Sequence, residues 1–254
     1  MSDVTEDQLK KKGDTAKIVM IYSVVGVLCV LIISVSMWLG KRSKASAEAD
    51  IRRGENVVDV RVMSLEESIG LHDIVKLEKD FTATNQDGES VTLQSLEGKV
   101  WVFAQFYGSC PECNKVNFTI LSDMYAKYKN DPNFQIVAVS VMQEEDGVSA
   151  MKSMADTLQA DTSNWWFLSA DVNEVNDFCS ENMLYTRFEK NTNKEESGMQ
   201  GAIFHDMGIS VFNNEMIMKA KVDVFSVQQS GNTKGAELKK KQLDLEIADA
   251  LKKA

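Results

Sequence analysis

The sequence predicts an α/β fold, a small sheet with helices on both faces, preceded by one N-terminal transmembrane helix. Three features predict it: a long apolar segment near the N-terminus, apolar runs that alternate with helical periodicity, and a closing hairpin followed by a last helix. Of the 254 residues, 44% are hydrophobic and 26% are charged. This composition is typical of globular domains and excludes a largely disordered chain.

The charge balance and the scarce residue types exclude several classes of protein. Lys and Arg number 28 against 38 Asp and Glu, and the net charge of −10 argues against a nucleic-acid binder, which needs a basic surface. With only four cysteines and two histidines, neither a disulfide-rich scaffold nor a zinc array is expected. Each cysteine and histidine can therefore be weighed individually.

The apolar segment Ile18–Leu39 predicts a membrane anchor. It contains no charged residue, and as a helix it would rise roughly 33 Å, enough to span a bilayer. Ala45-Ser46-Ala47 has the form of a signal-peptide cleavage site, but cleaved signals have apolar regions of only about 7–15 residues. We therefore expect a retained anchor. Basic residues flank it on both sides, so the positive-inside rule does not decide its orientation.

Four regions follow from this interpretation. They are an N-terminal tail (1–17), the transmembrane anchor (18–40), a juxtamembrane linker (41–75) and a folded domain (76–254). The linker is predicted because its residues are charged and only weakly periodic. Beyond it the pattern changes to regular elements.

The first half of the folded domain reads as a hairpin, a strand, a helix and a strand. Phe81–Leu93 predicts a hairpin because two alternating stretches flank Asp87-Gly88. The continuous apolar runs Val100–Phe106 and Phe134–Met142 suit buried strands. Between them, apolar residues at helical spacing predict a helix: Val116, Ile120, Met124 and Tyr128.

The second half continues this alternation. A second helix is predicted from five apolar residues: Val148, Met151, Met154, Ala155 and Leu158. Trp165–Leu168 predicts a short strand, and Asp171 with Glu174 resembles a capping box that opens a third helix. The closing elements are a hairpin turned at Asn213-Asn214 and a last helix marked by Leu243, Ile247 and Leu251.

The residues that carry chemistry follow the first buried strand, in the motif Cys110-Pro111-Glu112-Cys113. Pro111 suits the first position of a helix, where its missing N–H costs nothing. Cys110 is then placed just before a helix N-terminus, whose N–H groups and dipole favour a thiolate. Two cysteines at this spacing can close a reversible disulfide or hold a soft metal.

A strand, a CxxC motif and a helix in this order resemble the thioredoxin superfamily. The stretch Phe81–Cys113 looks like the opening of SCO/SenC proteins: a hairpin, a Gly-Lys pair, an apolar strand and then the cysteines. Trp165–Met183 is similar to the strand and helix that come later in that family. Gly201–Met218 resembles its next element, a histidine just before a strand and a turn. The similarity spans roughly residues 77–225.

The resemblance implies a membrane-anchored thioredoxin-like domain that faces the extracytoplasmic side, in the periplasm or its equivalent. It implies that Cys110, Cys113 and His205 bind copper, and that the protein serves assembly of cytochrome c oxidase by copper delivery or by thiol reduction. The implied partners are the membrane, the copper-site subunit of the oxidase or another membrane-associated cuproprotein, and a thiol–disulfide redox partner. No nucleic acid is expected.

Three observations bear on the choice between copper binding and metal-free redox chemistry. Two thiolates and an imidazole suit Cu(I), or Cu(II) with an added ligand. Thioredoxin-type oxidoreductases place a cis-proline against the CxxC, whereas the prolines here are Pro111 and Pro132, and His205 stands at about that place. The SCO/SenC family usually has three residues between its cysteines and this chain has two, which favours thiol–disulfide exchange.

The sequence is therefore compatible with three functions. The first is a copper-binding assembly factor. The second is a membrane-tethered thiol–disulfide oxidoreductase, in which Cys110 attacks and Cys113 resolves the mixed disulfide. The third is a non-catalytic interaction domain that has kept the fold. Whether the protein is an enzyme is not decided by the sequence.

Overall fold

The computed structural model describes residues 64–192 and 201–254, except for the side chains of Cys113 and Asn114. The predicted tail, the predicted transmembrane anchor and most of the predicted linker lie outside these residues. In the described ranges, no helix is long and apolar enough to cross a membrane.

The described residues form ten strands and six α-helices. The strands are β1 (Val75–Lys76), β2 (Thr82–Thr84), β3 (Ser90–Thr92), β4 (Val100–Phe106), β5 (Phe134–Ser140), β6 (Trp165–Leu168), β7 (Glu189–Lys190), β8 (Ile203–Phe204), β9 (Ile209–Phe212) and β10 (Ile217–Val222). The α-helices are α1 (Leu65–Ser68), α2 (Phe118–Tyr128), α3 (Val148–Leu158), α4 (Val172–Asn182), α5 (Val224–Gln229) and α6 (Thr233–Lys253). A 3₁₀ turn (Leu93–Leu96) precedes β4, and a π-helical turn (Cys113–Asn117) precedes α2.

The central sheet has six strands in the order β1-β10-β9-β4-β5-β6. β4, β5 and β6 are parallel to one another. On the other side of β4, β9 pairs antiparallel with β4, β10 with β9, and β1 with β10. Every residue of β4 and β5 is buried, as expected for parallel strands covered on both faces. The mixed α/β architecture predicted from the sequence is confirmed.

Helices cover the two faces of β4. Phe106 packs edge-to-face on Phe118 of α2, with ring centroids 5.6 Å apart. Gln105, the preceding residue, points to the opposite face and lies beside the Cys179 thiol of α4. Successive side chains of a strand point to opposite faces, so α2 and α4 lie on different sides of the sheet.

Most of the predicted elements are found; β4 and β6 have the predicted bounds, and β5 ends two residues earlier than predicted. The hairpin at residues 81–93 forms the separate two-stranded sheet β2–β3, and the closing hairpin forms β9–β10. The Asp171 side chain caps α4 by accepting from the Asn173 and Glu174 amides. The helix predicted from Val148 to Leu158 is confirmed as α3, with the same first and last residues.

The described end of the predicted linker, residues 64–75, has regular structure. Ser64 and Glu67 form a capping box at α1, and Val75 begins β1, which pairs with β10. The Gly70 amide donates to the Glu246 carboxylate of α6. These contacts join residues 64–75 to the elements that follow.

Candidate metal and redox site

Cys110 lies at the point where β4 passes into the helix that ends at Tyr128. Pro111 is the first helical residue, as predicted, so Cys110 stands at the helix N-terminus. Its amide donates to the Tyr107 carbonyl at 3.0 Å and closes a turn. The residue is only 2% exposed, and its sulfur is in a disulfide.

Asp146 holds the turn before Cys110. Its carboxylate oxygens accept from the Gly108 amide at 2.9 and 3.1 Å and from the Ser140 hydroxyl at 2.6 Å. A Cβ on Gly108 would stand 2.7 Å from the same carboxylate, so this approach requires glycine. Burial raises the pKa of Asp146, and the hydrogen bonds from Ser140 and Gly108 oppose that rise only in part.

His205 lies in the short connection between β8 and β9, with its ring against the cysteine turn. Its Nε2 is 3.9 Å from Cys110 Sγ, and the edge-to-face ring of Tyr107 lies 5.6 Å away. Burial lowers the pKa of His205 to about 4. The imidazole is therefore neutral at neutral pH, the form that binds metals.

The structure brings together two of the three predicted ligands, Cys110 and His205, which are 95 residues apart in the chain. The side chain of the third, Cys113, lies outside the described residues, and its role stays a prediction. Among the described side chains, no group of three or more His, Cys, Asp or Glu could hold a metal. A cavity of about 180 Å³ opens beside the pair, with Glu112, Met207 and Phe225 also in its lining.

The donor atoms of Cys110 and His205 fit a soft or borderline metal ion. Metal–thiolate and metal–imidazole bonds measure roughly 2.3 and 2.0 Å for zinc. Their sum exceeds the 3.9 Å that separates Sγ from Nε2, so one ion can contact both atoms. Because a disulfide sulfur is a poor ligand, Cys110 must first be reduced to a thiolate.

Four residues that support the site were not predicted from the sequence. Asp146 holds the cysteine turn through its hydrogen bonds with Gly108 and Ser140. Asp206 and Lys221 form an ion pair of 2.6 Å beside His205, and Asn117 donates to the Met207 carbonyl at 3.1 Å. Asp206 alone carries a local signal, because an Asp two residues before Gly208 predicts an Asx turn.

Cys179 takes no part in this site. It is a free thiol in the core, and burial raises its pKa to about 12. A thiol that stays protonated is a poor nucleophile and a poor metal ligand. The described residues also contain no cis peptide bond.

Known proteins resemble this chain over most of the domain. The SCO1/SenC family model matches residues 72–240. The SCO1 protein homolog of Bacillus subtilis (strain 168) is 30% identical over 100 residues, which are 39% of this chain and 52% of that protein. The match thus spans about half the length of that relative.

Two solved structures of SCO proteins are similar to this chain. The crystal structure of a SCO1/SenC family lipoprotein from Bacillus anthracis str. Ames superimposes with a TM-score of 0.52 and 22% identity, covering 59% of this chain and 86% of that chain. ScoI of Bradyrhizobium japonicum, solved with copper bound, has a TM-score of 0.48 and 22% identity and covers 58% and 88% of the two chains. The family match and the Bacillus anthracis structure confirm the thioredoxin-like α/β fold expected from the sequence.

Proposed function

The chain belongs to the SCO1/SenC family. We propose that it binds copper through Cys110, Cys113 and His205 and serves cytochrome c oxidase assembly. The observation that carries the proposal is the 3.9 Å separation of Cys110 Sγ and His205 Nε2. A sulfur and an imidazole nitrogen from remote parts of the chain are close enough to share one ion.

Each residue has a distinct part in this proposal. The helix N-terminus at Pro111 favours the thiolate of Cys110, which is the form that binds copper. Cys113 supplies the second sulfur. His205 supplies a neutral imidazole, because burial lowers its pKa to about 4. Two soft sulfurs and one borderline nitrogen suit Cu(I).

Copper loading is coupled to the redox state of the cysteines. The disulfide at Cys110 takes up two electrons and two protons from a dithiol reductant and yields two thiols. The thiols lose their protons when they bind copper. A disulfide of a redox partner would re-oxidise the pair: it accepts two electrons from the thiolates and two protons from solvent and becomes a dithiol, and the loss of both thiolates would release the ion. A thiol–disulfide redox partner is therefore part of the proposal, whether the domain delivers copper or reduces a disulfide of its client to thiols.

We place the domain on the extracytoplasmic side of a membrane, tethered by a single span at residues 18–40. The support is the uncharged apolar segment Ile18–Leu39, together with the compartment in which dithiol–disulfide chemistry operates. The proposed client is the copper-site subunit of the oxidase or another membrane-associated cuproprotein.

A metal-free thiol–disulfide oxidoreductase is the second candidate. The disulfide at Cys110 and the two-residue spacing of the motif favour it. His205 against Cys110, where an oxidoreductase of this fold has a cis-proline, favours copper. Among the described residues every peptide bond is trans.

Copper binding by the full-length reduced protein in detergent separates the two candidates. Against a Cu(I) chelator, we expect the protein to retain a single copper. The Cys110→Ser/Cys113→Ser variant should lose it, and His205→Ala should bind at least about tenfold more weakly. Cys179→Ser is the matched thiol control and should keep wild-type affinity. No retained copper, with a readily reversible disulfide, would support the oxidoreductase instead.

A further inference from the structure

We propose that Asp206 and Lys221 are positioning residues for His205. Their ion pair fixes the backbone carbonyl that receives the His205 Nδ1 hydrogen, and so directs the lone pair of Nε2 toward Cys110 Sγ. The consequence for copper rests on the proposed function, whereas the orientation of the ring does not.

The hydrogen-bond partner of His205 decides which ring nitrogen carries the hydrogen. Nδ1 lies 3.1 Å from the carbonyl oxygen of Asp206. A carbonyl oxygen can only accept, so Nδ1 must be the donor, and in the neutral ring Nε2 is then the nitrogen without a hydrogen. That nitrogen is the one 3.9 Å from Cys110 Sγ. Metal-binding histidines are oriented in this way by a partner on the other nitrogen.

The carboxylate of Asp206 fixes the peptide that bears this carbonyl. One oxygen accepts from the Gly208 amide at 2.8 Å. The other accepts from the Thr186 amide at 3.0 Å and from Lys221 Nζ at 2.6 Å. A Cβ on Gly208 would stand 2.8 Å from both the Asp206 carboxylate and the Lys221 side chain, so the turn closes tightly only with glycine.

Lys221 connects this turn to the rest of the domain. Its ammonium also donates to the Leu184 carbonyl at 2.7 Å and lies 3.9 Å from the centre of the Tyr185 ring. The Tyr185 hydroxyl is within hydrogen-bond distance of the Phe103 and Gly208 carbonyls, at 3.2 and 3.0 Å. The His205 loop is therefore anchored to β4, in the middle of the sheet.

The pair is shielded enough from water to act as a unit. The Asp206 side chain is 12% exposed and that of Lys221 is 21% exposed. Removing one partner of a shielded pair leaves an uncompensated charge, which costs more than the loss of a surface ion pair. Loss of Lys221 should thus release the Asp206 carboxylate and let the 205–208 turn rearrange.

The test is made on the metal-free, reduced, full-length protein in detergent micelles. Long-range ¹H–¹⁵N spectra report which nitrogen of each imidazole carries hydrogen, and the chain has only two histidines. The exposed His72 is the internal reference, and His205→Ala assigns the signals. We expect wild-type His205 to be the Nδ1–H form.

Lys221→Met and Asp206→Asn should both shift His205 toward a mixture of the two ring forms, while Lys221→Arg should restore the wild-type spectrum. Lys219→Met is the matched control, because Lys219 lies on the same strand and pairs with Asp73 instead. An unchanged His205 spectrum in Lys221→Met and Asp206→Asn would overturn the proposal. If Lys221→Met does not fold, the comparison of Asp206→Asn with Lys221→Arg decides alone.

Copper titration of the same variants keeps this proposal separate from the proposed function. Lys221→Met and Asp206→Asn should lower Cu(I) affinity about tenfold, as loss of an outer partner of a ligating histidine does. A shifted His205 spectrum with no copper binding even by wild type would refute the proposed function and leave the positioning role intact. Copper binding by wild type with an unshifted His205 spectrum in both variants would refute the positioning role and leave the proposed function intact.

Discussion

The turn before Cys110 and the turn after His205 are each held by one aspartate, but the two carboxylates have different partners. Asp146 accepts from a backbone amide and a hydroxyl, which are neutral donors. Asp206 accepts from two amides and from the Lys221 ammonium. One half of the site is therefore fixed by neutral hydrogen bonds and the other by a shielded ion pair.

The pKa values of the two groups move in opposite directions for this reason. Burial is the largest influence on both and raises the pKa of a carboxyl. At Asp146 the pKa stays raised, because Ser140 and Gly108 only partly oppose burial and Glu145 adds a like charge. At Asp206 the hydrogen bond from Lys221, with those from the Thr186 and Gly208 amides, outweighs burial and the pKa is lowered. We therefore expect acid pH to change the contribution of Asp146 to stability. Removal of the Lys221 ammonium should instead destabilise the turn that Asp206 holds.

The largest effect is expected from Asp146→Ala, which removes the acceptor of the cysteine turn. The Gly108 amide and the Ser140 hydroxyl then lose their partner, and we expect the free energy of unfolding to fall by about 3 kcal/mol. Urea unfolding measures it. The neighbouring Glu145 is exposed, and Glu145→Ala should change stability by less than about 0.5 kcal/mol. Equal losses in the two variants would show that Asp146 is not the anchor of this turn.

The ion pair of the histidine half should show coupling in a double-mutant cycle. For Asp206→Asn and Lys221→Met we expect a coupling free energy of about 1–2 kcal/mol, because the pair is mostly shielded from water. The surface pair Asp177–Arg187, with side chains 53% and 57% exposed, is the control and should give about 0.5 kcal/mol or less. Additive effects at both pairs would show that Asp206 and Lys221 are not energetically coupled.

Asn117 connects the two halves, since it lies in the π-helical turn after the cysteines and donates to the carbonyl of Met207. Asn117→Ala removes one hydrogen bond and should cost about 1 kcal/mol of unfolding free energy. Thr119→Ala, an exposed change on the following helix, should stay within about 0.5 kcal/mol. A neutral result for Asn117→Ala would mean that the two turns are held independently.

The smallest effect is expected in the pH dependence of Asp146→Asn, which keeps the side-chain shape. A folded-state pKa above the unfolded value means that the folded protein binds more protons, so the contribution of Asp146 to stability falls as pH rises from about 4 through the raised pKa. The stability of wild type minus that of Asp146→Asn should therefore increase as the pH is lowered toward 4.

Asp161 supplies the opposite sign as a control for this measurement. Its carboxylate accepts from the Ser163 amide, which lowers its pKa, so its contribution is present above the unfolded pKa and is lost as pH falls. The stability of wild type minus that of Asp161→Asn should decrease toward acid pH. Parallel curves for the two variants would refute the assignment of a raised pKa to Asp146.

Elements with a strong local pattern were predicted well. β4 and β5 are parallel strands in which every residue is buried, so they appear in the sequence as mostly apolar runs. Pro111 marked the helix start because its constraint on the backbone is local. β1 and the β7–β8 pair, each strand two residues long, carry too short a pattern to be recognised without their partners.

By itself the sequence determined the order of the longer strands and helices, the place of Cys110 at a helix N-terminus, and, through its resemblance to SCO/SenC proteins, the choice of His205 as its neighbour. These follow from periodicity, from backbone constraints and from motifs that are contiguous in the chain. Only the tertiary structure decided that Asp146 and Asp206 hold the two turns and that Lys221 pairs with Asp206. Lys221 reaches Asp206 across 15 residues and Asp146 reaches Gly108 across 38, and contacts between such remote residues depend on how the sheet and its connections pack.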